Sequence, residues 1–97
     1  MSASQELKAR IQSILTDGFG TLATVHVLDG HLDNVHVWVV SPEFDGVPEY
    51  IRQDRVWGVL DTALPASDKV KVSLILCFAP DEPEYQWAQR EQDVASK

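Results

Sequence analysis

Three histidines, His26, His31 and His36, stand five residues apart in the stretch VHVLDGHLDNVHVWVV and are interleaved with Asp29 and Asp33. Imidazole and carboxylate together make an acceptable ligand set for zinc or nickel. Five is not a ligand period in itself, so the spacing gains meaning only from the element that carries it. Residues on either side, TLATVHVLD and NVHVWVVS, are rich in β-branched types, and the turn-forming cluster DGHLDN separates them. That pattern predicts a β-hairpin with its turn near His31. Apolar alternation sets Val27 opposite Val35, which places His26 opposite His36, Thr24 opposite Trp38 and Leu22 opposite Val40. Opposed strand residues have Cβ atoms roughly 5 Å apart, close enough for His26 and His36 to share a divalent metal. His31, Asp29 or Asp33 would supply a further ligand from the loop. The plain alternative is two partly exposed strand histidines that bind nothing. On the same face, Trp38, Leu22 and Val40 would form an apolar patch, which marks a contact surface if that face is open.

The other reactive side chains give less. Ser41, Ser73 and Cys77 have no sequence-visible base beside them, so the pattern of an activated nucleophile is missing and no enzyme is expected. Cys77 lies within VSLILCF and reads as a buried core thiol. Asp81, Glu82 and Glu84 stand beside prolines and read as a solvated loop rather than an acid/base site. Fifteen acidic residues against eight basic give a net charge of -7, which works against nucleic-acid binding and favours a basic partner.

The chain must position these residues within 97 positions, enough for one modest core and hence a single domain over 1–97. The longest apolar run, Leu74 to Ala79, is far short of the roughly 20 residues that span a membrane. The segment MSASQELKAR lacks a basic region followed by an apolar core. A cytoplasmic location is the expectation.

The first element is a helix over residues 4 to 16, because Leu7, Ile11, Ile14 and Leu15 fall on one face. Ser2 or Ser4 would cap it and Gly18 would stop it. After the hairpin, Pro48 opens a second helix running to about Leu64, with Val56, Trp57 and Leu60 on its apolar side and a kink near Gln53. LPASD reads as a loop and KVKVSLILCF as a strand entering a covered part of a sheet. A short helical segment with Tyr85, Trp87 and Ala88 follows, and the last few residues are expected to fray. The expected fold class is α+β in the order α-β-β-α-β-α, a three-stranded mixed sheet with helices packed on one face.

That order, with Ser41, Phe44 and Gly46 in Ser-x-x-Phe-x-Gly, then Arg52 and the apolar ridge Val56, Leu60 and Leu64, resembles the BolA family of class II KH-like fold. A second matching block runs from Val72 to the pair Glu84 and Tyr85. The resemblance covers about half the chain by residue and nearly all of it by topology. It implies a small protein-binding or regulatory domain, linked to redox or iron handling through a monothiol glutaredoxin. Three departures qualify this. Gln53 and Asp54 stand where the family's Arg-His-Arg would continue, and Ser73 stands where its iron–sulfur ligand histidine would be. Asn34 likewise replaces a histidine, although His31 could serve as a loop ligand. Ordinary cluster sharing is therefore not expected, and no cofactor is assigned. A Gly-x-x-Gly loop, which clamps nucleic acid in KH readers, is missing. The resulting expectation is a non-enzymatic domain that binds a protein partner or its own copy. Its contact would be Trp38, Val40 and Leu22, together with Arg52 and Arg55. A metal-binding module built on His26 and His36 is the alternative.

Overall fold

The computed structural model describes residues 4–95, with side chains described through residue 91. The alternative cap Ser2 and the end of the expected frayed tail lie outside the described residues. Helix α1 spans Gln5–Phe19 and starts at Ser4, whose Oγ accepts from the Leu7 N–H at 3.0 Å. Its buried residues are Leu7, Ile11 and Leu15. Gly18 does not stop it. The chain leaves the helix at Gly20, with φ 85°, where the Gly20 N–H closes on the Thr16 carbonyl at 2.9 Å. Gly18 instead lets α1 approach the next long helix, since a Cβ there would stand 2.6 Å from Val59 Cγ1.

Strands β1 (Thr24–Asp29), β2 (Val35–Val40) and β3 (Val72–Phe78) form one mixed sheet in the order β1-β2-β3. The β1–β2 pair is antiparallel and the β2–β3 pair parallel. A parallel pair needs a crossover, supplied by a 3-10 turn over Pro42–Phe44, helix α2 (Glu49–Ala63) and the single-turn helix α3 (Ala66–Lys69). Helix α4, Pro83–Ala95, follows β3. The α-β-β-α-β-α order is therefore present. Helix α2 runs through Gln53 without interruption, and LPASD holds the start of α3 rather than an irregular loop.

The hairpin register differs from the expected one by two residues. Val27 pairs with Val37, Leu28 with His36, His26 with Trp38 and Thr24 with Val40. A slip of two leaves every side chain on the same face, so apolar alternation cannot distinguish the two registers. The turn decides. Residues 30–34 close through Gly30 N–H to Asn34 O at 2.8 Å and Asn34 N–H to His31 O at 3.0 Å, with Leu32 in the left-handed region at φ 56°.

Val25, Val35, Val37 and Val39 belong to the main core, which includes the α1 residues and Phe44, Val56 and Leu60. In β3 the pairing passes from Val35–Val72 to His36–Leu74, leaving Ser73 as a bulge. Val72 and Ile75, three apart, consequently both reach that core. The other sheet face carries Trp38, Val40 and Phe78, packed with Leu28, Leu76 and, from α4, Tyr85 and Ala88. The two long helices α1 and α2 share one face as expected, while α4 lies against the other. The sheet is thus covered where an open face would have exposed Trp38.

Candidate functional site: the α4 side of the sheet

Neighbouring aromatic rings hold α4 to the sheet. Trp38 meets His26 and Phe78 edge-on, with centroids 5.7 and 6.0 Å apart, and Tyr85 lies 5.4 Å from Phe78. Such pairs add attraction beyond the area they bury. His26 Nε2 and the Tyr85 hydroxyl are 3.4 Å apart, a long contact. Burial beneath α4 disfavours the imidazolium and holds the His26 pKa below its ordinary 6.5. The unfolded chain therefore binds a proton at His26 more readily than the folded one. Its stabilising contribution is complete above pH 6.5 and falls as pH drops through the depressed folded value, by no more than about 1.4 kcal/mol per pH unit. Urea titrations across that window should show this slope, and His26→Phe should remove it.

The other sequence-derived candidates separate. Trp38 and Val40 are 7% and 4% exposed, whereas Leu22, at 76%, lies before β1. The expected three-residue patch is therefore not a surface: two members are beneath α4 and the third lies outside the strand. His26 and His36 are not cross-strand partners, because the register sets Trp38 and Leu28 opposite them. His36 packs under the turn, where a Cβ on Gly30 would come within 2.9 Å of its ring, and His31 is exposed in the loop. Among the described residues no group of three or more His, Cys, Asp or Glu side chains is placed to hold a metal ion.

Arg52 and Arg55 also differ. Arg52 is 7% exposed and engaged inside the protein. Its Nε donates to Val47 O at 2.7 Å and Nη1 to Cys77 O at 3.1 Å, while Nη1 and Nη2 bind the two Glu82 oxygens at 2.7 Å each. Glu82 Oε1 also accepts from the Ala79 N–H at 2.8 Å. Arg52 stands over the Phe44 ring at 5.7 Å. This clasp ties α2 to the end of β3 and the approach to α4, so Arg52 serves the fold rather than an exposed contact. Glu82 is correspondingly not a free loop carboxylate; the hydrogen-bonded Arg52 guanidinium holds it below the usual glutamate range. Arg55 is exposed and lines a 330 Å³ hollow with Phe19, Glu43 and Val59. Beside Arg52, Gln53 Nε2 donates to Ile75 O at 2.7 Å. Burial pushes the Cys77 thiol up to about 12, leaving little thiolate for nucleophilic or redox work.

A concavity near these groups involves none of the expected Trp38–Leu22–Val40 patch. A groove of about 630 Å³ runs between α4, β3 and the start of α2. Leu76, Phe78, Ala88 and Val47 give it an apolar lining, and Trp87 contributes an indole that is 64% exposed. Glu49, Glu84 and Glu91 also border it. The signal was present in the sequence: Glu84, Trp87, Ala88 and Glu91 have the i, i+3, i+4, i+7 spacing of one helix face. A 270 Å³ hollow involving His36, Trp38 and Leu74 shares Leu76, Ala88 and Glu91 with this groove.

These elements define a small α+β domain with the mixed-sheet topology described above. Neither a protein-family model nor a curated protein sequence matches the chain. Among solved structures it is similar to a bolA protein homologue from Coxiella burnetii, with a TM-score of 0.51 and 18% identity. The match covers 89% of this chain and 99% of that one. The fold is BolA-like, which agrees with the sequence resemblance. The signature residues have local physical roles: Ser41 Oγ accepts from the Glu43 N–H at 3.2 Å, Phe44 fills the core beneath Arg52, and Gly46 takes φ 73°. No described helix is long and apolar enough to cross a membrane.

Proposed function

We propose that this chain is a small non-enzymatic protein-binding domain whose contact surface is the groove beside Trp87. The observation that carries the reading is the exposed Trp87 indole beside an apolar groove. Large exposed aromatics in such places commonly anchor interfaces. Trp87 thus takes the role first expected of Trp38, and α4 takes that expected of the helix carrying Arg52 and Arg55. The BolA-like fold supports a glutaredoxin-type protein or a second copy of the chain as the partner to test first, without requiring a shared cluster at Ser73. The net charge of -7 argues against nucleic acid.

Sedimentation over a concentration series, and titration with a monothiol glutaredoxin, should reveal one of these associations. Trp87→Ala should weaken it at least tenfold while leaving the melting temperature unchanged, since the indole adds binding energy at an interface but little to the core. A chain that remains monomeric throughout and does not bind the glutaredoxin would overturn the reading, as would association insensitive to Trp87→Ala.

A further inference from the structure

We propose that the groove between α4, β3 and the start of α2 accepts a cationic amphipathic helix from a partner protein. The helix would seat a large apolar side chain beside Trp87 and set Lys or Arg against Glu49, Glu84 and Glu91. This deepens the protein-binding reading and rests on it. At about 630 Å³ the groove has ample room for a bulky side chain. Its apolar lining gains from excluding water, while the bordering charges select what brings the apolar group there.

Glu82 is compensated by the bidentate Arg52, but Glu49, Glu84 and Glu91 form no ion pair among the described residues. Glu49 already accepts from Gln53 Nε2 at 3.0 Å and feels the Arg52 charge, so Glu84 and Glu91 are the main source of the negative potential focused over this low-dielectric floor. That potential attracts a basic segment and repels polyphosphate or an anionic lipid surface. A second copy, with net charge -7, is disfavoured by the same long-range repulsion. Simple strand addition along β3 is also disfavoured, because the Ile75 and Cys77 carbonyls already accept from Gln53 and Arg52. Docking through the side chains of an amphipathic helix meets both constraints.

The probes are a short helical leucine/lysine peptide and its leucine/glutamate counterpart, titrated calorimetrically into the full chain at low and high salt. Two charge-matched proteins complete the test: Glu49→Gln with Glu84→Gln and Glu91→Gln, and Asp17→Asn with Asp54→Asn and Asp61→Asn, exposed positions that do not line the groove. The lysine peptide should bind wild type and the aspartate variant alike, at least tenfold more weakly to the glutamate variant and to Trp87→Ala, and more weakly as salt rises. Equal losses in the two charge variants, equal binding of both peptides, or no binding would overturn the proposal. So would a dimer broken by Trp87→Ala that the lysine peptide does not compete with. If the peptide fails while Trp87→Ala still weakens dimerisation or glutaredoxin binding, only the cationic occupant falls. If both experiments fail, the protein-binding reading falls too.

Discussion

Arg52→Ala is expected to destabilise the protein by about 3 kcal/mol in equilibrium urea unfolding, the lower end of the cost of breaking a buried ion pair. The low end is appropriate because the Glu82 side chain retains 26% exposure and can recover some hydration. The substitution also removes the donors to Val47 O and Cys77 O and the cation over Phe44. A second signature separates this pair from ordinary packing. Arg52 holds the folded-state Glu82 pKa below its ordinary 4.5, so the pair's stabilisation is complete above that pH and declines as acidity passes through the depressed folded value. Arg52→Ala should flatten that acid limb. A variant as stable as wild type, or one retaining the same acid limb, would contradict the role assigned to the clasp.

Trp38→Ala should cost about 3 kcal/mol, the usual scale for removing a large buried aromatic, and its effect should be concentrated in α4. Trp38 forms the buried part of this cluster with Val40 and Phe78, against which Tyr85 and Ala88 pack. Its loss should accelerate amide exchange in α4 more than in α1 or α2, whose core lies on the opposite sheet face. Trp87→Ala should leave both quantities unchanged. The contrast tests the exchange of roles between the tryptophans: uniform acceleration, or equal effects from the two substitutions, would refute it.

The fold was largely legible because several local signals agreed. The apolar spacing in α1, the β-branched runs and Pro48 before α2 all favoured the elements that formed. Ser41, Phe44 and Gly46 were legible as a motif because each meets a local demand: a cap, a core plug and a positive φ. The candidate site was less legible for identifiable reasons. A two-residue register slip preserves side-chain parity, so the sequence pattern could not reject the His26–His36 pairing. Arg52 and Glu82 are 30 positions apart, and neither alone announces the fork that joins them. The final helix carries no apolar stripe comparable with that of α1, and among the described residues only Tyr85 and Ala88 turn one side of it toward the sheet. Trp87 falls on the adjoining groove side.

The attachments of Arg52 and Gln53 to β3 also bear on how the chain behaves when concentrated. An exposed strand edge offers backbone groups on which another molecule can extend the sheet, a first step toward aggregation. Here β3 is an edge strand, and two of its carbonyls are occupied by side chains from α2. At Gln53 the donor is a carboxamide, whose ability to donate does not depend on a protonation state. This edge guard therefore persists across the acidity range in which an imidazole would change its hydrogen-bonding character.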